Sequence, residues 1–424
     1  MRILRNAAAT ATAAATAAAL LATSPLALAD PVGCALSNTG VAGLGLGAAG
    51  GPNHPIPWLN GQSGLLPNLG GGTQAVEHIT GLQSPNETIP RFNVAGTDLG
   101  IMWDNGLGGT LAAFGDTTGI TSDPLCEGLV GDWRSNVLLR STDTNLSDGM
   151  RFDSAPLDRP GRAREALPSL KVPGVEFTVI PTSGISAPTP SGVRQYMSFM
   201  SVRSWDEPGE WTTNYSAIGY SDDNGETWHA PTFDALTAAR NRPATPGDAD
   251  TMGSVRWRDT PGNEKFQMAA FTRSSDPADN FVYSFGTPSG RSGSARLSRV
   301  RPDAVLDVAR YEYWDGGGWV AGDPTRAAVV IDGPVSELSV AWNAYLGKYI
   351  AMYSGVTIRT ANSLTGPWTE PHTLVSSAEV PTLYGGFMHP VSNASGDRQL
   401  YFVGTTWSNY NVMLLRTDLA PFKD

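Results

Sequence analysis

Cysteine is nearly absent. Cys34 and Cys126 are the only two in 424 residues, so neither a disulfide framework nor a cysteine-based zinc cluster can organise the fold. In an oxidising compartment the two are candidates for a single disulfide, stapling the N-terminal arm to the loop after Asp116; the alternative is two separate buried thiols. Histidine is also scarce. His54, His78, His229, His372 and His389 show no His-x-x-x-His spacing, which argues against a zinc or haem site. After the first 29 residues no apolar run approaches the roughly 18 needed to cross a bilayer. Charged residues make up only 16% of the chain, yet the net charge is −11. That balance disfavours nucleic acid and anionic membranes, and suits a neutral or polyhydroxylated substrate. Long amphipathic helices are missing too. The best helical fragment, Asp234 to Arg240, is only two turns long.

The chain is instead rich in glycine, proline and tryptophan, as expected of short strands joined by tight turns. Arg2 and Arg5, the apolar run Ala7 to Ala22 and the Ala27-Leu28-Ala29 site read as a secretory signal over residues 1–29, cleaved before Asp30. The expected location is therefore secreted or in the cell envelope. Residues 30–74 form a Gly/Pro-rich arm ending in Gly70-Gly71-Gly72, and residues 75–424 alternate β-rich segments with turn clusters. Dividing about 350 residues into four-stranded groups of roughly 65–70 gives five blades, so the expected fold is an all-β, five-bladed β-propeller.

Two further features support a propeller. Ser221-Asp222-Asp223-Asn224-Gly225-Glu226-Thr227-Trp228 fits the S-x-D-x-G-x-T-W Asp box, a structural hairpin turn of blades. Leu364-Thr365-Gly366-Pro367-Trp368 reads as the corresponding turn of the last blade, which an N-terminal strand near Val76 to Gly81 would close.

The chemistry concentrates in one hairpin. Gly96-Thr97-Asp98-Leu99-Gly100 and Phe114-Gly115-Asp116-Thr117 flank Asn105-Gly106 and Gly108-Gly109, pairs that favour a reversal with positive φ. Centring the reversal near Leu107 sets Asp98 opposite Asp116, with Cβ atoms about 4.5–5.5 Å apart. Two close carboxyls cannot both ionise easily, so one holds a proton, as in a glycoside hydrolase. The bland alternative is that Asp98 caps a turn and Asp116 starts a loop. We assign Asp116 as general acid and Asp98 as nucleophile or base. Carboxyl separations of about 5–5.5 Å imply retention and 6.5–9.5 Å inversion, and the hairpin favours the shorter range.

Around this pair, Glu176 precedes a strand and is a candidate to tune the pair's pKa from the second blade. Trp133, Arg134, Tyr384 and His389 are candidates for substrate binding, through an apolar ring face, a guanidinium fork and hydrogen bonds to hydroxyls. Asp104, Asp123, Asp132 and Asp143 read as turn residues. No metal site is predicted and no cofactor is required. A propeller can hold a structural Ca²⁺, although no Asp-x-Asp-x-Asp-Gly loop occurs.

The strings around Asp98 and Asp116 form a wider pattern with Trp133-Arg134-Ser135-Asn136, Arg140-Ser141-Thr142-Asp143, Ile180-Pro181-Thr182, Phe285-Gly286-Thr287-Pro288-Ser289-Gly290-Arg291 and Tyr311-Glu312-Tyr313-Trp314. Together they resemble the endo-D-arabinanases of glycoside hydrolase family 183, formerly an uncharacterised actinobacterial domain family. The resemblance covers roughly Ala75 to the C-terminus. It implies a five-bladed propeller that hydrolyses internal α-D-arabinofuranosidic linkages of the arabinogalactan and lipoarabinomannan of actinobacterial walls. It also implies that Asp98 and Asp116 are the catalytic pair. The expected partner is thus cell-wall arabinan, with no membrane insertion. Two rivals stand beside it: a non-catalytic propeller that binds wall polysaccharide, and a sialidase-like exo-glycosidase suggested by the Asp box.

Overall fold

The computed structural model describes residues 63–121, 130–234, 236 and 249–423. The signal-like segment, most of the arm, Cys34, Cys126 and most of the Asp234–Arg240 fragment lie outside the described residues.

The chain forms a five-bladed β-propeller. Each blade opens with its innermost strand: Leu99–Asp104, Thr178–Thr189, Met268–Arg273, Ser339–Asn343 and Leu383–Met388. These five contact one another in turn around the axis, and Ile101, Trp103, Val179, Met268 and Phe387 from them belong to one continuous apolar core. Successive strands of a blade run antiparallel outward. Blade 2 is the longest, with Gly192–Trp205 and Trp211–Ser221 followed by the short Arg256–Trp257. Blade 3 carries an extra outer hairpin, Glu312–Trp314 with Trp319–Ala321. Because the innermost strands all run the same way along the axis, residues that precede them gather at one mouth of the channel.

The ring closes through its N-terminus. Thr73–His78 pairs with Asn411–Asp418 as the outermost strand of blade 5, with Thr73 opposite Thr417 and His78 opposite Met413. This strand begins three residues before the expected Val76 and does the expected job, covering an edge that would otherwise expose unpaired backbone.

The Asp box lies where blade 2 meets blade 1. Asp223 accepts from Thr227 N at 2.9 Å and Thr227 Oγ1 at 2.6 Å, while Trp228 packs on the core shared by these blades. Arg140 donates from Nε to Asn224 O at 2.9 Å and pairs with Glu226 at 2.8 Å, which fastens the turn to blade 1. The Leu364–Trp368 turn belongs to blade 4 and not, as expected, to the last blade: it follows Thr357–Ala361. Its Trp368 does the equivalent work, meeting Phe285 of blade 3 edge-on at 5.9 Å.

The inner strands of blades 1 and 2 touch so closely that only hydrogen fits at Gly184. A Cβ there would sit 2.2 Å from the Trp103 ring, itself held by its Nε1–H to Gln195 Oε1 at 3.0 Å. Gly184→Ala is therefore expected to cost about 1–3 kcal/mol by overpacking. The measurement is a lowered urea midpoint with an unchanged m-value.

Candidate active site

The hairpin of blade 1 has the predicted centre but not the predicted register. Asp104 pairs with Thr110 and Trp103 with Leu111, which places the reversal at Leu107. A bulge then falls between Leu99 and Ile101, where Leu99 and Gly100 both adopt positive φ, at 68° and 83°. The extra residue moves Asp98 opposite Gly115, whose N–H donates to Asp98 O at 3.2 Å, and Asp116 lies one step further on. Beside them the hydroxyls of Thr97 and Thr117 bond at 2.7 Å. Gly115 is the reason the pair fits. A Cβ there would meet Asp98 Oδ1 at 2.3 Å, so the carboxyl lies over a residue that must have no side chain.

The two carboxyls are nearly enclosed, at 9% and 5% exposed, and their surroundings differ. Asp98 Oδ2 accepts from the Tyr384 hydroxyl at 2.9 Å, while Oδ1 has no hydrogen-bond partner. Burial, with the negative charges of Asp116 and Glu337, pushes Asp98 up to about 8 against the Tyr384 bond and the Arg291 cation. Asp116 Oδ1 accepts two bonds, from Thr178 Oγ1 at 2.6 Å and Trp133 Nε1 at 3.0 Å. Burial raises Asp116 as well, to about 7, and these two donors hold it down. Glu165 raises it further and Lys171 lowers it. Charge is thus better supported on Asp116, and a proton on Asp98.

Other blades complete the mouth. Tyr384, Trp407 and Tyr410 of blade 5 form a stack with centroid spacings of 4.9 and 5.6 Å and interplanar angles of 21° and 23°. Trp407 and Tyr410 are half-buried, and the Tyr410 hydroxyl faces Asp98. Arg291 of blade 3 pairs with Glu337 at 2.5 Å and lies 5.0 Å from the Tyr384 ring centre.

Of the other residues singled out in the sequence, Trp133 and Tyr384 reach the pair, each through a polar hydrogen. Three do not serve as expected. Arg134 is 1% exposed, its two Nη groups bond the backbone carbonyls of Phe92, Asn93 and Ala163, and its Nε is buried without a partner, so no fork is free for a sugar. His389 is fully buried with neither ring nitrogen bonded, and burial lowers it to about 4, leaving a neutral ring behind the Pro390–Ala394 helical turn. Glu176 is neither a surface residue nor a tuner of the pair. It is buried beneath blade 2, where Ser201 Oγ donates to it at 2.7 Å and Leu170 N at 3.1 Å. The carboxylates that act on the pair are Glu337 and Glu165. Among the described residues no group of three or more His, Cys, Asp or Glu side chains converges to hold a metal ion.

Comparison with known proteins places the chain in a family. A family model described as a domain of unknown function (DUF4185) matches residues 83–416. Notoamide biosynthesis cluster protein J of Aspergillus sp. (strain MF297-2) is 30% identical over 346 residues, covering 76% of this chain and 82% of that protein. Protein J' of Aspergillus versicolor is 30% identical over 357 residues, covering 79% and 85%. Among solved structures, an exo-β-1,3-galactanase variant from Phanerochaete chrysosporium has a TM-score of 0.46 at 10% identity, covering 84% of this chain and 66% of its own. The α-L-arabinanase of Penicillium chrysogenum has a TM-score of 0.33 at 14% identity, covering 74% and 72%. With the family model matching most of the blades, this chain belongs to the DUF4185 family.

Proposed function

We propose that the protein is a secreted glycoside hydrolase that cleaves internal α-D-arabinofuranosidic linkages of cell-wall arabinan. One observation carries this reading: two carboxyls coupled across one hairpin, nearly enclosed, with different hydrogen-bond donors. That is how a fold separates an acid from a base. The arabinan substrate and the secretion rest on the sequence strings and the signal-like N-terminus given above.

The hydrogen-bond donors around each carboxyl support the reverse of the order of roles assigned from sequence. Asp98, held protonated, gives its proton to the departing glycosidic oxygen. Asp116, ionised against Thr178 and Trp133, either attacks the anomeric carbon or takes a proton from the water that does. In the first case water then displaces Asp116 from the sugar and gives its proton to the Asp98 carboxylate, which restores both groups; in the second the water oxygen bonds the anomeric carbon as the leaving sugar departs, and the proton taken by Asp116 returns to solvent. The stacked Trp407 and Tyr410 offer an apolar platform beside Asp98, suited to a sugar ring.

A binding-only propeller is the second reading, favoured by how little of either carboxyl meets solvent. Incubation with mycobacterial arabinogalactan separates the two. Short D-arabinose oligomers are the expected product, and free monosaccharide alone contradicts endo action. Asp98→Asn and Asp116→Asn are each expected to lower kcat about 10²-fold or more with binding retained. Gly115→Ala should also lower kcat, by displacing Asp98. Tight binding with no cleavage by the unaltered protein would establish the second reading.

The pH profile of kcat/KM should be a narrow bell, rising as Asp116 ionises near 7 and falling as Asp98 loses its proton near 8. Thr178→Val removes a bond that favours charged Asp116, so the acidic limb should move up. Tyr384→Phe removes the corresponding bond to Asp98, so the alkaline limb should move up. Stability carries the same signature. Because folding raises the Asp98 pKa from 3.8 to about 8, the stability present below the lower value is lost as pH rises towards the higher. Asp98→Asn should therefore melt above the parent protein in alkaline buffer, and the gap should close below about pH 4.

A further inference from the structure

The channel holds a cavity of about 240 Å³ that neither Asp98 nor Asp116 lines. Its walls come from the innermost strands of all five blades: from their later residues in blades 1, 3 and 5, including Asp104, Arg273 and Met388, from mid-strand in blade 2, including Ser186, and from the opening residues Ser339 to Ala341 in blade 4. Asp104 lies six residues beyond Asp98, roughly 20 Å along the strand at about 3.3 Å per residue. The cavity therefore runs along the channel from the start of the blade 4 strand towards the opposite mouth.

Arg273 is the unusual group there. It ends the innermost strand of blade 3, lines the cavity and donates through Nη2 to Ser186 O at 2.7 Å. Among the described residues it forms no ion pair. Burial alone acts on its guanidinium, lowering its pKa. A half-buried cation of this kind costs free energy unless something neutralises it. Arg134, the other enclosed arginine described above, differs because backbone carbonyls take both its Nη groups and its remaining Nε is sealed from any ligand.

The remaining polar groups around the cavity are mostly hydroxyls with a hydrogen to give. Ser183 Oγ accepts from Phe271 N at 2.7 Å and Ser339 Oγ from Met388 N at 3.2 Å, which leaves each O–H available to donate. Asp104 is the one carboxylate on the wall. Its Oδ1 accepts from Gly106 N at 2.7 Å, leaving Oδ2 to accept from a ligand.

The geometry points to a second ligand site in this part of the channel, for a monosaccharide-sized polyhydroxylated carboxylate. Arg273 takes the carboxylate through its free N–H groups, and the serines and Asp104 take the hydroxyls. A neutral sugar would leave Arg273 uncompensated. A phosphate dianion would face Asp104 with a single cation to hold it. The volume has room for several waters, enough for one small sugar acid. The site does not depend on the hydrolase reading, because it shares no residue with the Asp98–Asp116 pair.

Calorimetry of the full chain with D-glucuronate, D-gluconate and D-glucose tests this. At least one acid is expected to bind, and glucose is not. Arg273→Met should abolish the binding, and Arg273→Lys, which keeps the charge but loses the fork, should weaken it about tenfold or more. If Arg273→Met fails to fold, the lysine variant and Ser183→Ala decide. Ser183→Ala should weaken binding while the fold is intact. No heat with either acid up to about 10 mM would overturn the proposal. So would undiminished binding in the folded Arg273 variants, or loss of binding in Asp98→Asn, which would put the acid at the other mouth.

Discussion

The site depends on one unfavourable contact, two carboxyls brought together in a nearly closed pocket. Like charges at this range repel, and removal from water adds to the cost of ionising either. The fold maintains the contact through the blade 1 hairpin, whose bulge turns Asp98 over Gly115 and whose next residue presents Asp116. The donors Tyr384, Thr178 and Trp133 then make the two groups unequal. Without that asymmetry the pair would be only a destabilising coincidence. With it, a proton has a preferred residence.

The propeller supplies these donors from distant parts of the sequence. Thr178 opens the innermost strand of blade 2 and Tyr384 is the second residue of that of blade 5, while Glu337 stands just ahead of that of blade 4. All come to one mouth because every innermost strand starts there. Closure of blade 5 by Thr73–His78 is therefore more than edge protection. It fixes the blade that carries Tyr384, Trp407 and Tyr410 against the blade that carries Asp98. A radial fold of this kind lets a long chain specify a small site with short, separately ordered sheets.

Much of this was legible in the sequence, and the failures have physical causes. Five blades, the closing strand and the hairpin centre at Leu107 followed from turn chemistry and period. The bulge did not, since a leucine at positive φ leaves no signature, and one extra residue moved Asp98 from Asp116 to Gly115. Arg134, Glu176 and His389 were polar residues beside functional strings, but the fold uses them internally. Spacing alone cannot separate a guanidinium aimed at a cavity from one capping backbone carbonyls. Thr178, Glu337, Arg291 and Trp407 were missed because ordinary residues become significant only when blade register is known. Trp133 was singled out for its ring face and Tyr384 for its place in the last blade, and each meets the pair through a polar hydrogen.

The central claim is that Asp98 keeps its proton at neutral pH while Asp116, one hairpin step away, is the better supported anion. A ¹³C-carboxyl NMR titration of aspartate-labelled protein, with Asp98→Asn and Asp116→Asn for assignment, measures this directly. The account predicts two coupled carboxyl titrations near 7 and 8, with the higher one lost in Asp98→Asn. If instead both carboxyls titrate in the ordinary range near 4, the acid–base pair does not exist and the hydrolytic reading falls with it.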